Sequence, residues 1–162
     1  MKTLGTILAA AALLVFAAGG AARAADATLD VAGAVATPLH LSVADLAALP
    51  QTEIDVTFHT GHGDEAGHYK GVSLWAIAQK AGLSDKQGNR PDLRHALAVT
   101  GSDGYTVIVA FGEIDPDFEN KSVIIATTRD GKPFEHDGLR LIVPGDAHGG
   151  RAVRDVVKIE VR

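Results

Sequence analysis

Polar and apolar residues alternate with a period of two over residues 53–59, so that Ile54, Val56 and Phe58 share one side of a half-buried strand. Further β-type runs lie at residues 27–31, 39–41, 96–100, 105–111, 123–127, 139–143 and 156–161. Two segments change period. Ser42 followed by Asp45 has the spacing of a capping box, and it predicts one or two helical turns ending before Pro50. Ser73 opens a second helix, in which Leu74, Ile77, Ala78 and Ala81 fall at helical spacing until Gly82 stops it. Gly101-Ser102-Asp103-Gly104 has the chemistry of a hairpin connection, and Asp130-Gly131 marks a further turn. Residues 61–71 hold Gly61, Gly63, Gly67 and Gly71, which break every period, and a loop is expected there. The sum is an α+β fold, mostly β, with one or two short helices on mixed sheet.

The N-terminus departs from this pattern. Lys2 is followed by an unbroken apolar run of 12 residues from Ile7 to Ala18, and Ala22-Arg23-Ala24 has the form of a small-x-small cleavage site. Residues 1–24 are therefore expected to be a secretory signal peptide, too short in its apolar core to span a bilayer permanently. Residues 25–162 are expected to form one domain in the periplasm. Loss of Lys2 and Arg23 would move the formal net charge from −5 to −7. With no run of Lys or Arg, this acidic balance argues against nucleic acid or an anionic membrane as partner. The chain has no Cys, so it offers neither a disulfide nor a thiolate to any metal.

Three segments carry more polar chemistry than connection requires. The first, residues 59–68, holds His59, His62, His68, Asp64 and Glu65. Neutral imidazoles and carboxylates suit zinc or copper, and the same imidazoles suit a ligand pocket. The second holds Asp103, whose carboxylate can accept two hydrogen bonds from an amidine-type edge, and Tyr105. The third, residues 144–151, combines Pro and Gly with Asp146, His148 and Arg151, a chain path that lets a ligand approach the backbone. Trp75, the sole Trp, is a candidate for the core or for stacking on a flat heterocycle. There is no nucleophile elbow, phosphate loop or dinucleotide fingerprint.

Four motifs in order carry a resemblance: Leu41-Ser42-Val43-Ala44-Asp45-Leu46; Tyr69-Lys70-Gly71-Val72-Ser73-Leu74-Trp75 with Ala81-Gly82-Leu83; Gly101-Ser102-Asp103-Gly104-Tyr105; and Arg140-Leu141-Ile142-Val143-Pro144-Gly145-Asp146 with Arg151-Ala152-Val153. Together they resemble the molybdopterin-binding domain of the sulfite oxidase superfamily. The resemblance implies the sulfite-oxidase fold, with a pterin in a central cleft ringed by the three segments. Enzymes of that family hold molybdenum through one Cys after the strand that corresponds here to residues 53–58, where this chain reads Phe58-His59-Thr60-Gly61-His62. The missing thiolate shifts the expectation from oxidoreductase to binding protein, with molybdenum disfavoured and no catalytic residue assigned. In that respect the chain is similar to periplasmic pterin-binding regulators of the PruR type. That resemblance implies a reduced pterin such as a tetrahydropterin, reported to the periplasmic region of an inner-membrane enzyme of cyclic di-GMP. A molybdopterin-dependent oxidoreductase with a non-Cys metal environment is the alternative. The residues expected to bind the pterin are His59, His62, Trp75, Asp103, Tyr105, Asp146, His148 and Arg151.

Overall fold

The computed structural model describes residues 27–134 and 138–162; the expected leader lies outside the described residues. Among the described residues ten strands form two sheets. They are β1 (Thr28–Gly33), β2 (Leu39–Ser42), β3 (Gln51–Thr60), β4 (Gly63–Ser73), β5 (Ala96–Gly101), β6 (Thr106–Ala110), β7 (Ile124–Arg129), β8 (Lys132–Pro133), β9 (Arg140–Ile142) and β10 (Val156–Val161). The first sheet has the order β2-β1-β10-β5-β6, with β1 and β10 parallel. The second runs β3-β4-β7-β8, and β9 pairs with β7.

Three short helices join them: α1 (Val43–Ala47), α2 (Leu74–Ala81) and α3 (Phe111–Ile114). The first two begin where the capping residues place them. Ser42 Oγ accepts from the Asp45 backbone N–H while Asp45 accepts from the Ser42 N–H, and Ser73 Oγ accepts from the Ala76 N–H. The sequence pattern carried the β6 run through Phe111. The chain instead turns into α3 there, because the Glu113 carboxylate accepts the Ala110 N–H at 3.1 Å and starts a turn.

The larger correction concerns residues 61–71. They form no loop: β3 and β4 are a long hairpin, in register from Gln51 opposite Val72 to Thr60 opposite Gly63, with only Gly61 and His62 in the turn. Two of the glycines, Gly67 and Gly71, serve close approach within the sheet. A Cβ at Gly71 would lie 2.0 Å from the Ile125 carbonyl oxygen on β7.

Apolar residues of the first sheet pack with α2 and one face of the second sheet around Leu29, Ile77, Leu97, Val99, Ile125 and Ile159. A smaller cluster of Val56, Phe58, Tyr69, Ile124, Ala126, Phe134 and Ile142 lies on the second sheet and backs the site described next. As the alternation required, Val56 and Phe58 are buried and Ile54 packs against them.

Candidate functional site

A cavity of about 460 Å³ opens where the tip of the β3–β4 hairpin meets the chain after β9. Phe58, His59, Thr60 and Gly61 line it from the hairpin, with Glu65 from β4 and Arg140 from β9. His148, Gly149, Gly150, Ala152 and Arg154 complete it. Its volume is in the range of cofactor-sized sites.

The cavity's charge comes from a carboxylate shared among guanidinium groups. Glu65 Oε1 accepts from Arg140 Nη1 at 2.7 Å, from Arg129 Nη1 at 2.9 Å and from the Tyr69 hydroxyl at 3.1 Å. Arg154 Nη2 lies 3.9 Å from the other oxygen of Glu65. Burial acts to raise the Glu65 carboxyl, but the hydrogen bond and charge of Arg140, with Tyr69 and Arg129, outweigh it and hold the group below the usual glutamate range. Cations outnumber the acid, so the cavity favours an anionic or carbonyl-rich ligand. The Arg140 side chain is 4% exposed, lies 5.8 Å above the Phe58 ring, and its Nε is buried without a hydrogen-bond partner.

His59 and His148 meet at the cavity, their rings 5.8 Å apart and nearly perpendicular. Tyr105 reaches the same wall from outside, donating its hydroxyl to the Gly150 carbonyl at 2.7 Å. The other expected residues do not line the cavity. Asp146 and Arg151 pair with each other, Asp103 caps its own turn by accepting from the Tyr105 N–H, and His62 is exposed at the hairpin tip. Trp75 packs edge-on against Phe111, 5.9 Å between ring centres, at the margin of the larger core.

The three imidazoles of residues 59–68 do not converge. His59 Nδ1 lies 2.9 Å from Asp64, its partner across the hairpin, and His68 Nδ1 lies 2.9 Å from Asp55, likewise opposite it. With Lys70 Nζ 2.9 Å from Glu53, these pairs form a ladder on the exposed face of the hairpin. Four residues of strand put the two histidines about 13 Å apart. Among the described residues no three His, Asp or Glu side chains are grouped to hold a metal ion.

Arg140, Arg154 and Phe58 were not among the residues expected at the site, and Glu65 was expected only as a candidate metal ligand. Arg140 left one signal, a cation inside the apolar run Leu139 to Val143, where strand burial calls for a partnered charge. Glu65 stood out only as one of the carboxylates of residues 59–68, and nothing in that segment linked it to Arg140.

A mixed sheet and an antiparallel sheet joined by short helices, the second carrying this cationic cavity, define a sulfite-oxidase-type domain. The chain belongs to the oxidoreductase molybdopterin binding domain family, whose model matches residues 18–162. Its fold is similar to that in the crystal structure of the sulfane dehydrogenase SoxCD from Paracoccus pantotrophus, with a TM-score of 0.69 and 21% sequence identity. The likeness covers 85% of this chain and 38% of that one, so this chain spans well under half of the SoxCD chain. No curated protein matches it in sequence. No helix among the described residues is long and apolar enough to cross a membrane.

The organic part of a molybdopterin suits these residues, since its phosphate and ring carbonyl are acceptors for guanidinium donors. The usual anchor for its metal does not exist here, because the chain has no Cys.

Proposed function

We propose that this domain binds a molybdopterin-type pterin in the Arg140–Arg154 cavity, held by charge and hydrogen bonds rather than through a protein thiolate. The observation that carries this reading is the guanidinium side chains of Arg140 and Arg154, which line the cavity around a single carboxylate, Glu65. Arg140 and Arg154 would hold the phosphate or carbonyl of the ligand, the backbone of Gly149 and Gly150 allows close approach, and Phe58 supplies apolar surface. A bound pterin supplies a two-electron redox centre and a hydrogen-bonding edge.

Two roles follow from the same site. The family supports a molybdopterin-dependent oxidoreductase in which no thiolate reaches the metal, and the ring nitrogens of His59 and His148 are the donors nearest at hand. The missing Cys supports the other role, a regulator that binds a reduced pterin and reports it to the periplasmic part of a membrane cyclic di-GMP enzyme. In that role residues 1–24 would direct export, and no turnover is needed.

Quantifying molybdenum and pterin in protein purified from its native host separates them. Equimolar molybdenum and pterin support the oxidoreductase, pterin without metal supports the regulator, and the absence of both contradicts the proposal.

A further inference from the structure

Residues 144–151 follow β9 and form a strap whose later part walls the cavity. His148, Gly149 and Gly150 of this strap line the cavity, as do Ala152 and Arg154 beyond it, whereas Arg151 in their midst does not. We infer that Arg151 is a positioning residue: it clamps the strap that walls the cavity, and so sets ligand affinity without touching the ligand. The consequence for affinity rests on the proposed pterin binding; the clamp itself does not.

The donors of Arg151 are committed away from the cavity. Its Nε donates to Asp146 Oδ2 at 2.8 Å and its Nη2 to Asp146 Oδ1 at 2.6 Å, a two-pronged bond that ties the strap's end back to its own third residue. Its Nη1 donates to Glu113 Oε1 at 3.2 Å, on α3 and 38 residues away. Glu113 is itself fixed, since its other oxygen accepts the Ala110 N–H and Lys121 Nζ stands 3.9 Å from Oε1. Asp146 and Glu113 hold the Arg151 guanidinium well above its ordinary range, so it stays charged at any working pH.

The strap needs such a clamp. It contains Gly145, Gly149 and Gly150, and glycine gives an unfastened segment the most freedom to move. Gly149 is required for the close fit, because a Cβ there would lie 2.8 Å from the Phe58 ring. Away from Arg151 the strap is held by a β-bridge between His59 and His148, in which the His59 N–H donates to the Ala147 carbonyl at 2.9 Å, by the contact of the two imidazole rings and by the Tyr105 hydroxyl on Gly150. The first of these is a built-in reporter: the His59 amide exchanges with solvent when the strap lifts.

The test compares wild type with Arg151→Ala and Arg151→Lys, each without ligand and with a tetrahydropterin as probe. In the ligand-free Arg151→Ala protein the His59 amide is expected to exchange about tenfold faster, amides of β5 and β10 being unchanged. Calorimetry of the same variant is expected to show affinity weakened about tenfold. Arg151→Lys keeps the charge but not the fork, and is expected to restore only part of either loss. Unchanged His59 exchange in Arg151→Ala overturns the clamp. Lost affinity with unchanged exchange also overturns it, and would mean that Arg151 touches the ligand directly. If wild type binds no tetrahydropterin, the reduced-pterin role fails while the exchange data still decide the clamp. Should Arg151→Ala not fold, Glu113→Gln removes one prong and is expected to speed His59 exchange about two- to threefold; no change there overturns the inference.

Discussion

Arg140 Nη1 meets Glu65 Oε1 at 2.7 Å, joining two side chains 75 residues apart in the chain at the edge of the cavity. The pair is well buried, Arg140 at 4% and Glu65 at 16% exposure, and Arg129 and Tyr69 share the same oxygen. The acid neutralises part of the cationic cluster, and the cavity wall keeps a positive balance.

Glu65→Gln strips that neutralising charge and leaves buried guanidinium groups facing one another. The variant is expected to be less stable by about 2–4 kcal/mol in chemical denaturation near neutral pH. Because the folded-state pKa of Glu65 lies below its unfolded value, its contribution is present above the unfolded value and is lost as pH falls through the folded one. The stability gap between wild type and Glu65→Gln should therefore narrow on acidification below the ordinary glutamate range. A gap that is constant or widens would contradict the assignment.

Arg140→Lys preserves charge but removes the fork and the buried Nε. Pterin affinity measured by calorimetry is expected to fall about 10- to 100-fold. Binding within a factor of two of wild type would mean that the ligand sits elsewhere.

Trp75 is a packing residue in this structure, set against Phe111. Trp75→Ala should lower stability by about 2–3 kcal/mol while leaving the affinity of the folded protein for pterin unchanged. A large affinity loss with stability intact would instead make Trp75 a stacking platform.

The hairpin ladder should be visible in the titration of His68. Its hydrogen bonds to Asp55 and then Glu53 outweigh partial burial and raise its pKa above the ordinary imidazole value. A raised folded-state pKa stabilises fully below the unfolded value near 6.5 and fades as pH rises through the folded one. By NMR, the His68 ring should titrate above that value in wild type and move back toward it in Asp55→Asn. Identical midpoints in the two proteins would contradict the pairing.

What could be read from the sequence followed the range of the interactions. Ser42 with Asp45, and Ser73, cap helices within three residues of themselves, and the alternation of Ile54, Val56 and Phe58 is a property of one strand. The strand β4 was hidden because Gly71 is demanded by the Ile125 carbonyl on another strand, which no local pattern reveals. The site was half legible for the same reason. His59 and His148 stand in conspicuous polar segments and do meet at the cavity, with Tyr105 behind them on the Gly150 carbonyl, while Glu65 and Arg140 acquire meaning only from each other. Arg151 was conspicuous too, but its direction depends on Glu113, 38 residues earlier, and points it away from the cavity.

The most direct test of the central claim is native mass spectrometry of the protein from its own host, alongside an Arg140→Ala variant prepared in the same way. The account predicts one pterin-mass ligand per wild-type chain, released on denaturation, and none on the variant. Wild-type protein free of pterin, or a variant that retains it, would contradict the account.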